Sequence, residues 1–300
     1  PVTMDEKDID GRQLAAEILQ QVADDVARLK TAGWYPKLTS ISVGENPEAA
    51  FYVRNQRRKC KQVGIEFEER TYGDDITQEE LDAAIWSLNV DPRVTGIVLQ
   101  RPVPPSLSVK QAQAAIDPLK DVEGLHPASI GNIVYQEMDL APCTAMASIE
   151  LLRRTGITIQ GLEATVIGHS EIVGKPIAFL LLAAGATVTV CHHMTRDVEV
   201  HSRCSDVVFV AAGKPNLLTG SMIKPGAVLI DIGINQVFDE DGTEHIVGDC
   251  DYASCRDVAR WITPVPGGVG PVTVSILMRN SVLAANRLKD HYETQLRHRL

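Results

Sequence analysis

The chain has 300 residues, of which 44% are hydrophobic, with a formal net charge of −10 at pH 7 and a pI near 5.3. This length fits two domains or one large one, and the apolar fraction is sufficient for two cores. The acidic balance argues against general nucleic-acid binding, which needs a positive surface. The sequence shows no run of 18 apolar residues and no signal-peptide segment, so we expect a cytoplasmic protein that does not enter a membrane.

The six cysteines are scattered and form no C-x-x-C pair, which is typical of reduced thiols in a reducing compartment. A zinc cluster is the alternative, with Cys191, His192, His193, His201 and Cys204 as its candidate ligands. Structural zinc sites use tighter paired spacings, and Cys191 stands at the end of a predicted buried strand. We therefore predict that the protein holds no metal.

Helices and short strands alternate in the first part of the chain. Apolar residues recur at three- and four-residue spacing over residues 8–30, which predicts an amphipathic helix. Residues 37–43 alternate as a strand does, and Asn46 followed by Pro47 is typical of the cap and first residue of a helix. A capping box at residues 77–80 predicts a further helix.

Two features of this part place polar side chains at candidate site positions. On the helix that the proline begins, Tyr52, Gln56 and Lys59 share one face. A predicted buried strand over residues 94–100 ends on a polar residue, Gln100. Such a residue is either part of a site or an anchor for the loop that follows, and the composition leaves both readings open.

A strand, a loop of small residues and a helix follow one another at residues 165–184. The loop reads Gly168-x-Ser170-x-x-x-Gly174, so a serine stands where the G-x-G-x-x-G fingerprint has its second glycine. In a phosphate-binding turn, such a loop brings backbone N–H groups and a helix N-terminus onto an anion. The alternative is an ordinary tight turn between a strand and a helix.

Three further apolar runs rich in β-branched residues predict buried parallel strands at residues 187–191, 206–212 and 227–232. Two of these runs end in turn residues that begin at Gly213 and Gly233. Ligands of open α/β sheets bind beyond the carboxyl ends of the strands. The pattern therefore favours a Rossmann-like nucleotide-binding domain.

The predicted fold is an α/β protein of two domains. Residues 1–146 form an N-terminal α/β domain, and residues 147–270 form the Rossmann-like domain with a mainly parallel sheet. A rigid loop at residues 263–273 contains three prolines and three glycines and suits a junction between domains. A closing helix over about residues 272–287, within the C-terminal segment 271–300, returns to the first domain.

Several motifs occur in one order along residues 8–287. They are Tyr52-Val53, Gln100-Arg-Pro102, Lys120-Asp-Val-Glu-Gly124, Pro142-Cys-Thr144, the segment 168–176, Ala212-Gly-Lys-Pro215 and the segment 264–271. Together they closely resemble the methylenetetrahydrofolate dehydrogenase/methenyltetrahydrofolate cyclohydrolase family. The resemblance implies a homodimer in which folate binds in the cleft between a catalytic N-terminal domain and a Rossmann domain. It also implies oxidation of the methylene bridge by NAD(P) and hydrolysis of the resulting methenyl cation.

The resemblance assigns roles to particular residues. It makes Tyr52, Gln56, Gln100 and Glu123 the catalytic positions, with Tyr52 stacked on the substrate, Gln100 near the reacting carbon and Glu123 on the pterin edge. Further substrate contacts come from Pro266, Gly267 and Gly268. The expected nucleotide contacts are Gly168, His169, Ser170, Ile172, Val173, Gly174, His193, Thr195, Ala212, Gly213 and Ile234.

Three positions depart from the family pattern. Gln56 stands where the family has a catalytic lysine, Glu123 where it usually has aspartate, and Ala49 where it has serine. The lysine assists hydrolysis, and a neutral amide has no pKa suited to that role. We expect a dehydrogenase whose cyclohydrolase activity is weak or lost. The alternatives are a paralog redirected to another folate adduct or imine, a non-catalytic binding paralog, and replacement of the lysine by Lys59.

The cofactor is NADP or NAD, with NADP slightly favoured. NAD-binding Rossmann proteins often place an acid about 20 residues beyond the glycine loop, but here the second strand ends in Cys191, His192 and His193. Family members that prefer NADP usually have arginine at the position of His169 and serine at that of His193. Two histidines form a weaker phosphate clamp near pH 7, so either nucleotide stays open.

Overall fold

A computed structural model describes residues 6–136, 140–239 and 241–297 of the chain. These residues form two compact units, each with its own parallel sheet. The three-strand unit contains the described residues 16–132, 140–141 and 274–297, and the five-strand unit contains 6–15, 133–136 and 142–273. The domain boundaries at 146/147 and 270/271 stay a prediction. No helix of the described residues is long and apolar enough to cross a membrane.

The chain up to residue 136 alternates helices and strands. The elements are α1 (Gly11–Thr31), β1 (Lys37–Val43), α2 (Pro47–Val63), β2 (Glu66–Tyr72), α3 (Gln78–Val90), β3 (Gly96–Leu99), α4 (Val109–Ala115) and α5 (Pro127–Val134). The strands pair in the order β2–β1–β3, and both pairings are parallel. Leu38, on the central strand, pairs with Phe67 on one side and Gly96 on the other.

The predicted starts of α2 and α3 are confirmed. The Asn46 side chain accepts a hydrogen bond from the Ala49 N–H, with Pro47 as the first helical residue. Thr77 and Glu80 form the reciprocal capping box of α3. These caps satisfy N–H groups that have no partner within a helix, so they fix where each helix begins. The third strand is shorter than the predicted 94–100, and α1 begins three residues later than the predicted 8–30.

The core of the three-strand unit lies between β1, β3 and α3, where Ile41, Ile85, Leu88 and Ile97 are buried. Burial of such apolar side chains provides the main driving force for the packing. The outer strand β2 is instead half-exposed and carries charged residues, which blunt an open sheet edge. The carboxyl ends of β1 and β3 are therefore held side by side on a rigid base.

The five-strand unit contains the second parallel sheet. Its elements, with the closing helix, are α6 (Cys143–Arg154), β4 (Glu163–Ile167), α7 (Gly174–Ala183), β5 (Thr187–Cys191), α8 (Val198–Ser202), β6 (Val207–Val210), β7 (Val228–Asp231), β8 (Asn235–Phe238), β9 (Glu244–Val247), α9 (Tyr252–Val258), β10 (Trp261–Ile262) and α10 (Val269–Arg297), and a 3-10 turn lies at Gly220–Met222. The sheet order is β10–β7–β6–β4–β5, and every pairing is parallel.

The strand order defines a switch point in this sheet. From β4 the chain moves outward to β5 and then returns to the other side of β4 as β6. Counted within the unit, the order is 2-1-3-4-5, a doubly wound order in which ligands bind beyond the carboxyl ends of the first and third strands. Those ends are the residues after β4 and β6. The predicted Rossmann-like parallel sheet is thus confirmed.

Two features differ from the sequence prediction. A short antiparallel hairpin, β8 with β9, follows β7 and was not predicted. The closing helix extends about ten residues beyond the predicted residue 287. Within the three-strand unit Tyr292 stacks on Trp34, with ring centroids 6.1 Å apart, and Lys289 pairs with Glu293. These contacts stabilise a helical end that is otherwise rich in polar residues. Residues 298–300 of the predicted C-terminal segment lie outside the described residues.

Candidate active site

A pair of amide side chains lies at the carboxyl end of β3. Gln100 follows this strand and is buried, and its Nε2 donates hydrogen bonds to Gln56 Oε1 at 2.8 Å and to Ser40 Oγ at 2.9 Å. Gln56 is only 8% exposed. Buried polar groups are stable when their hydrogen bonds are made. The sequence-predicted residues Gln56 and Gln100 are therefore in direct contact, and the third partner, Ser40, was not predicted.

Glu123 stands beside the same strand. An isolated parallel bridge between Ile97 and Asp121 brings this segment alongside β3, and Glu123 Oε2 accepts a hydrogen bond from the Leu99 N–H at 3.3 Å. Burial raises the pKa of Glu123 to about 7, with the Arg101 guanidinium opposing and the Asp121 carboxylate reinforcing the rise. The side chain of Glu123 is only partly exposed, and with this pKa its carboxyl group changes protonation near neutral pH.

Tyr52 lies one helical turn before Gln56 on α2. Its side chain is 46% exposed, and its ring meets Phe51 edge to face with centroids 6.0 Å apart. An exposed aromatic ring of this kind offers a surface for a flat ligand. Lys59, the alternative source of an amine, donates from Nζ to Gln62 Oε1 at 3.2 Å, toward the C-terminal end of the helix and away from Gln56.

A cavity of about 350 Å³ opens beside these residues in the three-strand unit. Its wall includes Ser42 at the end of β1, Asn46 in the turn that follows, Ala49 in the first turn of α2, and Gln100 with Pro102 after β3. Ligands of parallel sheets bind at this end of the strands. Ala49 contributes only a methyl group where a serine would add a hydroxyl group.

In the five-strand unit, the loop after β4 depends on two glycines. Gly168 has a φ of 118°, and a Cβ there would overlap the carbonyl group of Ala211. A Cβ at Gly174 would overlap the carbonyl group of Gly168. The backbone hydrogen bonds Gly168 N–Cys191 O (2.8 Å) and Ala211 N–Ile167 O (2.7 Å) hold the three strand ends together. This close approach leaves a backbone surface that suits a nucleotide phosphate.

Ser170 forms an internal cap for α7. Its Oγ accepts hydrogen bonds from the N–H groups of Val173 at 3.2 Å and Gly174 at 3.5 Å, and its carbonyl oxygen accepts from the Lys175 N–H. The hydroxyl group keeps its own proton for donation. The N–H groups of Val173 and Gly174 are therefore engaged within the loop. The O–H group of Ser170 is a donor that a ligand can use instead of them.

Three histidine rings cluster where β4 and β5 end. The ring centroid of His169 lies 4.5 Å from that of His192 and 5.9 Å from that of His193. Thr195 fixes the turn, because its Oγ1 accepts from the His192 N–H at 2.9 Å. Partial desolvation, together with His192, His193 and Lys175, holds the pKa of His169 below its usual range. Sequence reasoning identified His169, His193 and Thr195 but assigned no contact to His192.

Asp249 anchors the loop after β6. Its buried carboxylate accepts hydrogen bonds from three consecutive N–H groups, those of Ala212 (2.6 Å), Gly213 (2.9 Å) and Lys214 (2.9 Å), and from Asn235 Nδ2 (2.8 Å). Ala212 and Gly213 were predicted to bind the nucleotide. Because their N–H groups are engaged by Asp249, they can contribute to a ligand only through their remaining backbone surface.

A second buried carboxylate holds the neighbouring turns. Asp231, the last residue of β7, accepts hydrogen bonds from the N–H groups of Gly233, Asp249 and Cys250. Burial raises the pKa of Asp231, and the nearby Asp249 adds to the rise. These bonds fix the turn that presents Ile234, whose side chain is 57% exposed at the carboxyl end of β7.

The remaining predicted positions lie in exposed or tightly packed loops. Ile172 is exposed in the loop before α7. Pro266 follows a cis peptide bond and is exposed, whereas Gly267 and Gly268 are buried. Gly267 has a φ of 117°, a conformation that favours glycine.

The described residues contain no group of three or more His, Cys, Asp or Glu side chains able to hold a metal ion. Cys191, the first of the alternative zinc ligands, is fully buried, and burial raises the pKa of its thiol. A buried thiol with a raised pKa is a poor source of the thiolate that zinc requires.

The two units define the class of protein. One presents a polar site of amides and a carboxyl group, and the other presents a doubly wound sheet with a glycine-shaped turn at its switch point. This combination is that of a two-domain nucleotide-dependent α/β enzyme. Residues 9–123 match the catalytic domain of tetrahydrofolate dehydrogenase/cyclohydrolase, and residues 142–289 match its NAD(P)-binding domain. The chain belongs to the tetrahydrofolate dehydrogenase/cyclohydrolase family.

Individual relatives agree over nearly the whole chain. The bifunctional protein FolD 2 of Mesorhizobium japonicum is 59% identical over 289 residues, which are 96% of this chain and 94% of that protein. The solved FolD enzyme of Campylobacter jejuni has a TM-score of 0.88 at 39% identity and covers 93% of this chain and 98% of its own. The Trypanosoma brucei FolD, solved with NADP and an inhibitor, has a TM-score of 0.88 at 38% identity, with coverage of 93% and 97%.

The raised pKa of Glu123 leads to a prediction about stability. Between its ordinary value of 4.5 and about 7, the folded protein binds more protons at this group than the unfolded chain, so the free energy of unfolding falls as pH rises through that window. Glu123→Gln removes this loss. Urea unfolding at about pH 5 and about pH 8 should show the variant gaining stability over the unmodified protein as pH rises.

Glu80→Gln is the matched control for this measurement. The Thr77 backbone and side chain hold the pKa of Glu80 below its usual range, so the effect of that substitution should stay constant between about pH 5 and pH 8. A constant difference for Glu123→Gln over the same interval would contradict the assignment of its pKa.

The anchoring role of Asp249 leads to a second prediction. Asp249→Asn keeps the shape of the side chain but places an NH₂ group against N–H donors. We expect the amides of residues 212–214 to exchange hydrogen at least about tenfold faster and the free energy of unfolding to fall by about 2–4 kcal/mol. Asp251→Asn is the control, because the Asp251 side chain makes no cap hydrogen bond to α9. Equal exchange at residues 212–214 in both variants would refute the role.

Proposed function

We propose that this protein is an NAD(P)-dependent dehydrogenase that oxidises 5,10-methylenetetrahydrofolate to 5,10-methenyltetrahydrofolate in one-carbon metabolism, with weak or no cyclohydrolase activity. Family membership and the names of the solved relatives support the dehydrogenase reaction. The observation that carries the rest is the hydrogen bond between Gln100 and Gln56, because Gln56 places a neutral amide at the position where the family has a lysine.

Substrate binding falls to residues of the three-strand unit. The exposed ring of Tyr52 stacks against the flat part of the folate, and the carboxyl group of Glu123 accepts hydrogen bonds from the pterin edge. Because the pKa of Glu123 is about 7, its ionised form, with acceptor sites on both oxygens, increases as pH rises through neutrality. Gln100 is held by Ser40 and Gln56, so its amide group keeps one orientation near the reacting carbon.

Nucleotide binding falls to the loops of the five-strand unit. Gly168 and Gly174 allow close approach to the backbone, the Ser170 hydroxyl group donates to a phosphate, and Ile172 and Ile234 supply apolar contact. NAD(P), when bound, supplies the hydride acceptor. NADP is slightly favoured over NAD, because no acidic residue follows β5 directly.

Oxidation and hydrolysis make different demands on the site. In the oxidation, one C–H bond of the methylene bridge breaks, the hydride leaves with both electrons, and the folate becomes a methenyl cation. This step moves no proton, so neutral side chains near the carbon are sufficient. In the hydrolysis, water adds to the cation and must lose a proton, and Gln56, Gln100 and Ser40 have no pKa suited to accept it. These three side chains therefore favour the first step, and Glu123, whose pKa is about 7, is assigned in this proposal to the pterin edge.

The two alternatives considered from the sequence have less support. A redirected enzyme or a non-catalytic binding paralog was motivated by the changes at residues 49, 56 and 123. The polar contacts around Gln100 and the glycine-shaped nucleotide loop are both formed. No contact in the described residues favours another substrate.

The direct test mixes the protein with methylenetetrahydrofolate and either NADP or NAD and follows the formation of reduced nicotinamide. We expect reduction with at least one nucleotide. Gln100→Ala should lower kcat/KM for the folate, because it removes the side chain that Ser40 and Gln56 orient. Absence of reduction with both nucleotides would refute the proposal.

The role of Gln56 gives the sharpest prediction. Gln56→Lys should raise hydrolysis of purified methenyltetrahydrofolate by ~10²–10⁴-fold, the range of a positioned acid–base group. For the new amine to donate a hydrogen bond to Gln100, the Gln100 amide must rotate so that its oxygen, rather than its NH₂ group, faces residue 56. Because Gln56 is buried, the new amine is desolvated, which costs about 1–3 kcal/mol of stability but moves its pKa toward neutrality.

Lys59→Ala is the control for this variant. Lys59 is engaged with Gln62, so its removal should leave hydrolysis unchanged. The rates are corrected for the spontaneous reaction. Rapid hydrolysis by the unmodified protein that persists in Lys59→Ala would show that neither amine is required and would contradict this description of the site.

We also propose that the protein is a homodimer in the cytoplasm. The resemblance to the family motivates the dimer, and light scattering of the purified protein measures it. All six cysteines are free, which supports a reducing compartment.

A further inference from the structure

The histidine cluster has a chemical character that the proposed reaction does not use. His169 follows β4, and His192 and His193 follow β5, with all three ring centroids within 4.5–5.9 Å of one another. In doubly wound folds, the residues after the second strand lie at the ribose 2′ position of a bound nucleotide. An acid at that position selects NAD, and a cation accommodates the 2′-phosphate of NADP. Here the group at that position is neither an acid nor a permanent cation but a set of histidines, the residue type that serves as a switch at physiological pH.

The three rings are not equivalent. The Met194 N–H donates to His192 Nδ1 at 3.2 Å, so the proton of that ring is on Nε2. Nδ1 of His192 is therefore engaged as an acceptor within its own turn, and the ring lies tilted against that of His169. His193 is exposed and His169 is half-buried. These two rings are the ones able to take up a proton when an anion arrives.

The ionisable groups that act on His169 are all basic. They are His192 and His193 after β5 and Lys175 on α7. Repulsion among them and partial desolvation hold the pKa of His169 below its usual range, so without a ligand the ring is mostly neutral at pH 7. A phosphate monoester carries nearly two negative charges at that pH. A phosphate placed at the cluster adds negative charge beside these basic groups and therefore favours the protonated rings.

We propose that His169 and His193 form a proton-dependent recognition site for the 2′-phosphate of NADP, so that the choice between NADP and NAD changes with pH. This proposal rests on the proposed NAD(P)-dependent function. Binding of NADP takes up protons at the two rings, whereas NAD has no charge at this position and takes up none there. The protein therefore prefers NADP at slightly acidic pH and loses that preference as the pH rises.

The sign follows from linkage. Since the dianion binds more tightly to the protonated rings than to the neutral ones, the affinity for NADP falls as pH rises. For each proton that binding takes up, the affinity for NADP falls by up to about tenfold per unit rise in pH. Below about pH 6 the phosphate itself becomes protonated, so the preference for NADP is greatest near pH 6–6.5.

The test is calorimetric titration of the full-length protein with NADP and with NAD between about pH 6.5 and pH 8.5. We expect the dissociation constant for NADP to rise by about tenfold or more and that for NAD by less than about twofold. At one pH, repetition in two buffers of different ionisation enthalpy gives the protons bound, which should be positive for NADP and near zero for NAD. This measurement needs no variant.

Variants locate the effect. In the double variant His169→Gln/His193→Gln, the affinity for NADP at about pH 6.5 should fall to the level that the unmodified protein shows at about pH 8.5 and become independent of pH. The control is His245→Gln, because His245 pairs with Asp239 on the β8–β9 hairpin, outside the cluster. It should keep the pH profile of the unmodified protein.

The outcomes separate this proposal from the proposed function. Binding of both nucleotides with parallel pH profiles and equal proton uptake would overturn the recognition site and leave the dehydrogenase intact. A steep pH profile of NADP affinity that persists in the double variant would also overturn it. The melting temperature of the double variant shows that it is folded. Failure to bind either nucleotide at any pH would overturn both.

Discussion

The close backbone contact at the end of β4 is the constraint on which the nucleotide side of this protein depends. Gly168 meets the carbonyl group of Ala211, and Gly174 meets the carbonyl group of Gly168, in space that a Cβ would fill. Because the ends of β5 and β6 are hydrogen-bonded to this turn, the loops that follow them start from fixed points. The histidines, the Asp249-anchored turn and the cap of α7 all take their positions from it.

The three-strand unit is organised by a different principle, a buried polar contact without charge. Gln100, Gln56 and Ser40 satisfy one another, and such a network avoids the desolvation cost that a buried ammonium carries. Under the proposed function, this network suits a reaction that creates a cation without moving a proton. Charge in this unit is concentrated instead at Glu123, where burial brings the carboxyl group close to the point at which it is half ionised.

Local signals in the sequence predicted the elements well. The caps at Asn46 and Thr77 fix helix starts through contacts within three residues, and buried parallel strands show as continuous apolar runs. The hairpin β8–β9 escaped prediction because its residues are mostly half-exposed or exposed and carry no strong period. The helix end at residues 288–297 escaped because its stacking partner, Trp34, is far away in the sequence.

The candidate site was predicted in part, because only some of its residues belong to local motifs. Family motifs identified Gln56, Gln100 and Glu123, but the sequence left open whether Gln100 belongs to a site or anchors a loop, and the structure shows it bonded to a predicted site residue. Ser40 and Asp249 were missed because their partners lie 60 and 35–37 residues away. Long-range hydrogen bonds of this kind leave no periodic trace in a sequence.

Asp249 also makes the loop after β6 differ from the loop after β5 in what determines its shape. Its carboxylate fixes the loop after β6 through main-chain N–H groups alone, so the identity of the side chains in that loop matters little to its shape. The loop after β5 is instead held by its own side chains, with Thr195 accepting from the His192 N–H and His192 from the Met194 N–H. In the recognition site proposed for the histidines, coenzyme preference is confined to a few exchangeable positions, which evolution or an engineer can change while the loop after β6 keeps its form.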